Sequence, residues 1–210
     1  MVKTWVADVS ALLNENVYQK YYEMLPLWRR EKANQCKQMK NKALSVGAWA
    51  LWEYAKKQEQ NPLPEEPIYN LSHSGHYVMC SYSDLPGAKV GCDLEMLGKE
   101  RLPVAERFFC ESEYQHILNM ENTEERTRMF YRSWVLKESF MKATRAGMAL
   151  DTKSFEIGWN LEGEPVMLRK PSEYPETYYY KEYTDVKIKA CMAVCTTDAQ
   201  VENALHVLTF

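Results

Sequence analysis

No apolar run in this chain approaches the roughly 20 residues that span a bilayer. The N-terminal stretch, MVKTWVADVSALLNE, has no basic-then-apolar leader pattern and no small-residue cleavage site. These two absences lead to the expectation of a cytoplasmic protein without a membrane partner. Cys-x-x-Cys pairs are missing as well. The six cysteines, Cys36, Cys80, Cys92, Cys110, Cys191 and Cys195, are scattered, and four of them sit in strand-like runs. Scattered cysteines of that kind read as small buried hydrophobes in a reducing compartment. Positive charge is in slight deficit, with 26 Lys and Arg against 29 Asp and Glu, for a net charge of -3. Such a chain is no general polyanion binder. No nucleic-acid partner is expected, and any grip on phosphate must come from a local patch. No obvious internal repeat relates the two halves of the chain.

What is present is an ordinary globular composition: 46% of the 210 residues are hydrophobic and 26% charged. That length suffices for one large domain or two small halves around a substantial core. Aromatics are abundant, with Trp 6 and Tyr 14. They bury much area while keeping a polar handle for ligands or partners.

Residues 2–9 read as a strand. Residues 26–42 start at a proline and continue as one basic helical segment. Residues 43–58 set Leu44, Ala48, Leu51, Trp52 and Ala55 at helical spacing. Pro62, Pro64 and Pro67 break the chain into a loop. Strands are predicted at 77–83 and 88–95, and helices at 103–120 and 124–145. A hairpin joins 154–161 to 165–170, and two late strands, 177–183 and 186–195, close the fold. The mixed order favours α+β over a doubly wound parallel sheet. The division falls at 1–87 and 88–210.

Three segments carry chemistry. In Val90-Gly91-Cys92-Asp93-Leu94-Glu95, period-two alternation sends Gly91, Asp93 and Glu95 to one face. Two like charges that close repel unless a cation intervenes, and Mg²⁺ suits one or two carboxylates plus phosphates. Gly91 leaves room for a ligand on that face. A solvated acidic strand edge is the competing reading. In the helical segment 124–145, Trp134, Glu138 and Lys142 lie along one stripe that Phe130 extends backwards. An ordinary Glu–Lys surface pair competes with a third metal carboxylate plus a phosphate-neutralising lysine one turn on. Asn70-Leu71-Ser72-His73-Ser74-Gly75 reads as a compact polar loop able to bind anions, or as a plain turn. Between residues 29 and 42, Arg29, Arg30, Lys32, Lys37, Lys40 and Lys42 face only Glu31. That patch could hold a nucleotide phosphate, meet an acidic partner or simply be solvated.

Taken in order, NLSHSG at 70–75, VGCDLE at 90–95 and WVLKESFMK at 134–142 resemble the Sfp-type 4'-phosphopantetheinyl transferases. Residues 105–113, with Phe108, Phe109 and Glu113, match the family's Phe-Phe and acidic segment. The resemblance implies two similar α/β halves packed as a pseudo-dimer, with coenzyme A as co-substrate between them. It implies Mg²⁺ on Asp93, Glu95 and Glu138, and Lys142 on the pyrophosphate. Glu138, or a metal-bound water that it orients, would be the base. Ser72, His73, Arg29, Lys32 and Lys42 would contact the nucleotide part of coenzyme A. The partner implied is an apo acyl, peptidyl or polyketide carrier protein, and the expected state is a monomer. Two departures stand out. A Gly-Lys/Arg-Pro motif is absent from residues 61–67, and the family's Gly-x-Gly pair is here Arg145-Ala146-Gly147. Two other functions compete: a metal-dependent phosphodiesterase or nuclease using Asp93, Glu95 and Glu138, and a non-catalytic module that binds coenzyme A or a carrier, which would keep the basic patch but has no need of the acids with Lys142.

Overall fold

Three pairings, two antiparallel and one parallel, define the four-stranded N-terminal sheet. The computed structural model describes residues 1–60 and 62–210, and Met148 by its backbone alone. Val2–Asp8 (β1) pairs antiparallel with Tyr77–Ser83 (β3), which pairs with Ile68–Ser74 (β2). On its other side β1 runs parallel to Val201–Thr209 (β9). The order is β2-β3-β1-β9. The second sheet has the order β4-β8-β7, from Val90–Met96 (β4), Ile188–Thr196 (β8) and Tyr179–Asp185 (β7). Glu156–Trp159 (β5) and Pro165–Arg169 (β6) form a separate hairpin.

The apolar pattern of each strand explains the layers. β3 turns Val78, Cys80 and Tyr82 to one face and Met79 to the other. The first face is covered by Met39–Lys57 (α3), whose Leu44, Ala48, Leu51, Trp52 and Ala55 are buried there. The second face meets the other sheet. Val2, Val6 and Met79 pack with Val90, Cys92, Leu94, Met192 and Val194 in a core between the sheets. Beyond the second sheet lies Thr123–Thr144 (α6), with Phe130, Val135, Leu136 and Phe140 turned into a third cluster beside Ala193 and Cys195. The molecule is thus layered helix, sheet, sheet, helix. It is two α/β units packed sheet to sheet, of the α+β class. Among the described residues, no helix is long and apolar enough to cross a membrane.

Several expected elements differ. The basic segment 26–42 is not one helix: Leu27–Asn34 (α2) ends before α3 starts at Met39, since Gln35–Gln38 leave the helical path. Glu15–Glu23 (α1) precedes them, capped by Asn14, whose side chain accepts from the Asn16 and Val17 N–H groups. The helix expected over 103–120 is broken at Phe109 and Cys110 into Leu102–Phe108 (α4) and Glu111–Leu118 (α5). Residues 70–74 are strand, not loop. Only Gly75 and His76 turn, with Gly75 at φ 63°, a left-handed value suited to the first position of a two-residue hairpin loop. Asn61, in the expected loop, lies outside the described residues.

The last strand was not anticipated from the sequence. Instead of 186–195 closing the fold, Val201–Thr209 returns to the N-terminal sheet, so the chain crosses once over a division at residue 88. α6 ends at Arg145 with φ 61°, the left-handed conformation usually given to glycine at a helix C-terminus. For a residue with a Cβ, that costs on the order of 1–2 kcal/mol.

Gly91 leaves room, but not for a ligand. A Cβ there would stand 2.1 Å from the Ser139 carbonyl oxygen and 2.2 Å from the Ala143 nitrogen. The missing side chain lets α6 lie directly on β4. Gly91→Ala should therefore push helix from strand and destabilise by about 1–3 kcal/mol, the usual range for overpacking a filled contact. Urea unfolding with an unchanged slope measures it, and a wild-type midpoint would refute the close-approach argument.

Candidate active site

The site grows from a seam between the two sheets. β4 is an edge strand, and its outward N–H groups need acceptors. They find side chains standing up from β2. The Cys92 N–H donates to Asn70 Oδ1 (3.0 Å), the Leu94 N–H to Ser72 Oγ (3.4 Å) and the Met96 N–H to Ser74 Oγ (3.2 Å). Every second residue of one strand thus serves every second residue of the other. The serine hydroxyls then donate onward, Ser72 to Asp93 Oδ1 (2.7 Å) and Ser74 to Glu95 Oε2 (2.8 Å).

α6 brings the third party. Lys142 Nζ donates to Asp93 Oδ1 (2.6 Å), Ser72 Oγ (3.0 Å) and the Cys92 carbonyl (3.1 Å). Burial works against the ammonium, but Asp93 beside it holds Lys142 above its ordinary pKa. Ser72 is buried, and its hydroxyl gives one hydrogen bond and takes two, its full capacity. The expectation that Ser72 offers its hydroxyl to a nucleotide therefore does not match this arrangement. It orients Asp93 and Lys142.

Among the described residues, Asp93 Oδ2 is buried without a hydrogen-bond partner. Glu138 shares a cavity of about 310 Å³ with Lys142, Asn70, Met141, Arg145 and Gly147. Burial pushes both Glu95 and Glu138 above the usual carboxylate range. The charge of Asp93 adds to the shift in each, opposed by the Ser74 hydrogen bond at Glu95 and by Lys142 at Glu138. Among the described residues, no three His, Cys, Asp or Glu side chains converge into a ready-made metal cluster. Lys142 stands against one oxygen of Asp93, and Ser74 restrains Glu95. The donor set nevertheless fits a hard divalent cation. It offers an orphaned carboxylate oxygen and two glutamates whose mutual repulsion with Asp93 a cation would relieve.

On the opposite side of β2, Arg29, Lys32, Asn41, Leu44, Leu71 and His73 line a cavity of about 410 Å³. Arg29 is buried, stacks near Trp49 (4.9 Å) and leaves its Nε unpaired. A guanidinium with a free donor suits an anion. Lys42 does not line this cavity, and Asn41 takes the adjacent place. β2 alternation thus sends Leu71 and His73 to one cavity and Asn70 to the other.

The sequence profile of the 4'-phosphopantetheinyl transferase superfamily matches residues 89–195. The chain belongs to that superfamily. The match contains Asp93, Glu95, Glu138 and Lys142. Among curated relatives, the 4'-phosphopantetheinyl transferase Sfp of Bacillus subtilis is 34% identical over 142 residues, 68% of this chain and 60% of that protein. A putative 4'-phosphopantetheinyl transferase of Synechocystis is 40% identical over 85 residues, 40% of this chain and 33% of the relative. The chain thus spans about 60% of the length of the Bacillus relative it matches. The solved holo-[acyl-carrier-protein] synthase from Neisseria meningitidis aligns at TM-score 0.43 with 16% identity, over 51% of this chain and 95% of that one.

Within the superfamily segment, sequence reasoning left out Lys137. Its side chain is 2% exposed, and its ammonium donates to Glu113 (2.9 Å) and to the carbonyls of Thr152 (2.7 Å) and Phe155 (2.9 Å). Glu113 also accepts from the Cys110 N–H (2.8 Å) and the Ile157 N–H (2.9 Å). The pair pins α5 and residues 152–157 to α6 one residue before Glu138. Of the Phe-Phe segment, Phe109 is 1% exposed and stacks on Phe130, while Phe108 is half-buried against Trp134.

Two outcomes follow. Lys137→Met strands the Glu113 charge and should cost about 3–5 kcal/mol. The double variant with Glu113→Leu should recover most of it, and thermal unfolding of both checks this. Loss of water around the ring, then the Lys142 charge, hold His73 below the ordinary histidine pKa of about 6.5. Between the lowered value and about 6.5 the unfolded chain binds more protons, so His73 makes stability rise with pH across that window. NMR titration should find the low value, and His73→Gln should flatten the stability profile there.

Proposed function

We propose that this chain transfers the 4'-phosphopantetheine arm of coenzyme A to a serine hydroxyl of an apo carrier protein, releasing 3',5'-ADP. The observation that carries the reading is the buried Asp93 carboxylate. One of its oxygens is matched by Lys142 and Ser72, the other has no partner among the described residues, and Glu138 lines a cavity together with that same Lys142. Superfamily membership supplies the reaction class.

Asp93, Glu95 and Glu138 would hold Mg²⁺. When bound, it would neutralise diphosphate charge and polarise the phosphorus. The chain's own residues do the rest. Arg29, Lys32 and His73 receive the nucleotide phosphates on one side of β2, which leaves the diphosphate to cross toward Lys142 on the other. Lys42 would act at longer range. The carrier serine oxygen forms a bond to the phosphorus that bears pantetheine, and the bond from that phosphorus to the bridging oxygen breaks. Glu138 takes the serine proton, helped by a burial-raised pKa. Lys142 neutralises charge on the departing 3',5'-ADP. Positioning and charge neutralisation are what phosphoryl transfer asks of a protein. Acyl, peptidyl and polyketide carriers are the partner classes, in the cytoplasm. Ser72 and His73 from one half and Asp93, Glu138 and Lys142 from the other make one site in one chain, which favours a monomer. Light scattering tests that state.

Incubation with coenzyme A, Mg²⁺ and apo carriers, followed by intact mass measurement, should give the phosphopantetheinyl adduct. Asp93→Asn and Glu138→Gln should each lower single-turnover transfer by about 10²–10³-fold, the scale of lost charge stabilisation in a closed site. The melting temperature of Glu138→Gln should stay near wild type, because the swap is isosteric and relieves repulsion with Asp93, whereas Asp93→Asn should lower it by leaving the Lys142 ammonium without its carboxylate. Unmodified carriers of all three classes would sink the proposal. Hydrolysis of coenzyme A without a carrier would replace it with a phosphodiesterase.

A further inference from the structure

The C-terminal cap of α6 is Arg145, at φ 61° and without glycine's freedom. A strained residue is retained where something holds it or needs it. Arg145 continues the stripe of Glu138 and Lys142, at i, i+4 and i+7 on one helix face. It lines the same cavity as those two residues and Asn70. Among the described residues it is in no salt bridge. Its exposed guanidinium instead reaches from α6 back to β2, where Nη2 donates to the Tyr69 carbonyl (2.9 Å). That single contact leaves donors of the planar fork free, the geometry that suits two phosphate oxygens.

Tyr69 shows where Arg145 stands relative to the other cations. Burial raises the phenol, and the charges of Arg29 and then Arg145 oppose that rise. Arg29 lines the cavity on one side of β2, and Arg145 the cavity on the other. A phosphate-bearing donor that crosses β2 between the two cavities therefore meets Arg145 beside Lys142.

We propose that Arg145 is a substrate-binding residue, closing on the diphosphate of coenzyme A from the C-terminal end of α6. The proposal rests on the transferase reading above and adds a cation where the related pattern carries glycine. On this view the left-handed strain is kept because it turns the side chain over the mouth of the cavity.

Calorimetry with coenzyme A alone, in Mg²⁺ buffer and over a salt series, tests binding without turnover. Arg145→Gly should weaken coenzyme A about tenfold or more, the loss of one charge-assisted hydrogen-bonding group. Its salt dependence should be shallower, because one phosphate contact is gone. Its melting temperature should equal or exceed wild type, since glycine relieves the strain. Arg145→Lys, which keeps the charge without the fork, should fall between the two. In turnover, Arg145→Gly should raise KM for coenzyme A and leave kcat within about twofold. Equal affinity in wild type and Arg145→Gly, with only the melting temperature changed, would reduce Arg145 to a helix cap and overturn the proposal. A wild-type protein that fails to bind coenzyme A would overturn the transferase reading, and this proposal with it.

Discussion

Three N–H groups along β4 face away from their own sheet and have no neighbouring strand to receive them. Left bare, each would cost on the order of 1–3 kcal/mol. They are satisfied by Asn70, Ser72 and Ser74, which stand up from β2 at the same two-residue spacing. A row of side chains thus substitutes for a strand and sews one sheet to the other. The two serine hydroxyls in turn donate hydrogen bonds to Asp93 and Glu95. The register between the halves and the aim of the two carboxylates are therefore one constraint. Slipping β4 by one residue would lose all three acceptors and turn Asp93 into the apolar core at once.

The helix is held to that seam by a second closeness. With no Cβ at Gly91, the backbone of α6 at Ser139 and Ala143 rests against β4. Lys142 is then within reach of Asp93, and Glu138 within its field. From behind, Lys137 and Glu113 lock the helix with a buried pair whose donors are all used. One face of the turn at 137–142 is thus fixed by structural charge, and the other carries the site. A saturated buried pair so near an under-saturated one separates rigidity from chemistry.

Much of this was legible from local periodicity. The facing of Asp93 and Glu95 followed from the alternation in β4, and the Glu138–Lys142 stripe from helical spacing. Both depend only on neighbours within a few residues. What escaped depended on distant partners. Ser72 reads as a free hydroxyl until β4 is laid beside it. Lys137 carries no local signal of its role, because its partner Glu113 lies 24 positions earlier with no pattern to announce it. Gly91 was noticed, but whether helix or ligand fills its space is a matter of packing. β9 escaped for another reason. Its half-buried and exposed positions do not alternate cleanly, and none is fully buried, as befits a strand at the edge of a sheet.

That edge strand has a consequence for how the molecule is made. β1 is synthesised well before β9, yet the two lie parallel, side by side. The N-terminal sheet can form its β2-β3-β1 part early, but one flank of β1 stays open until residues 201–209 arrive. Contacts so distant in sequence are slow to form, and an open strand flank invites pairing with other chains. Aggregation hazard should therefore be greatest while the second sheet is present and residues 201–209 have not yet docked.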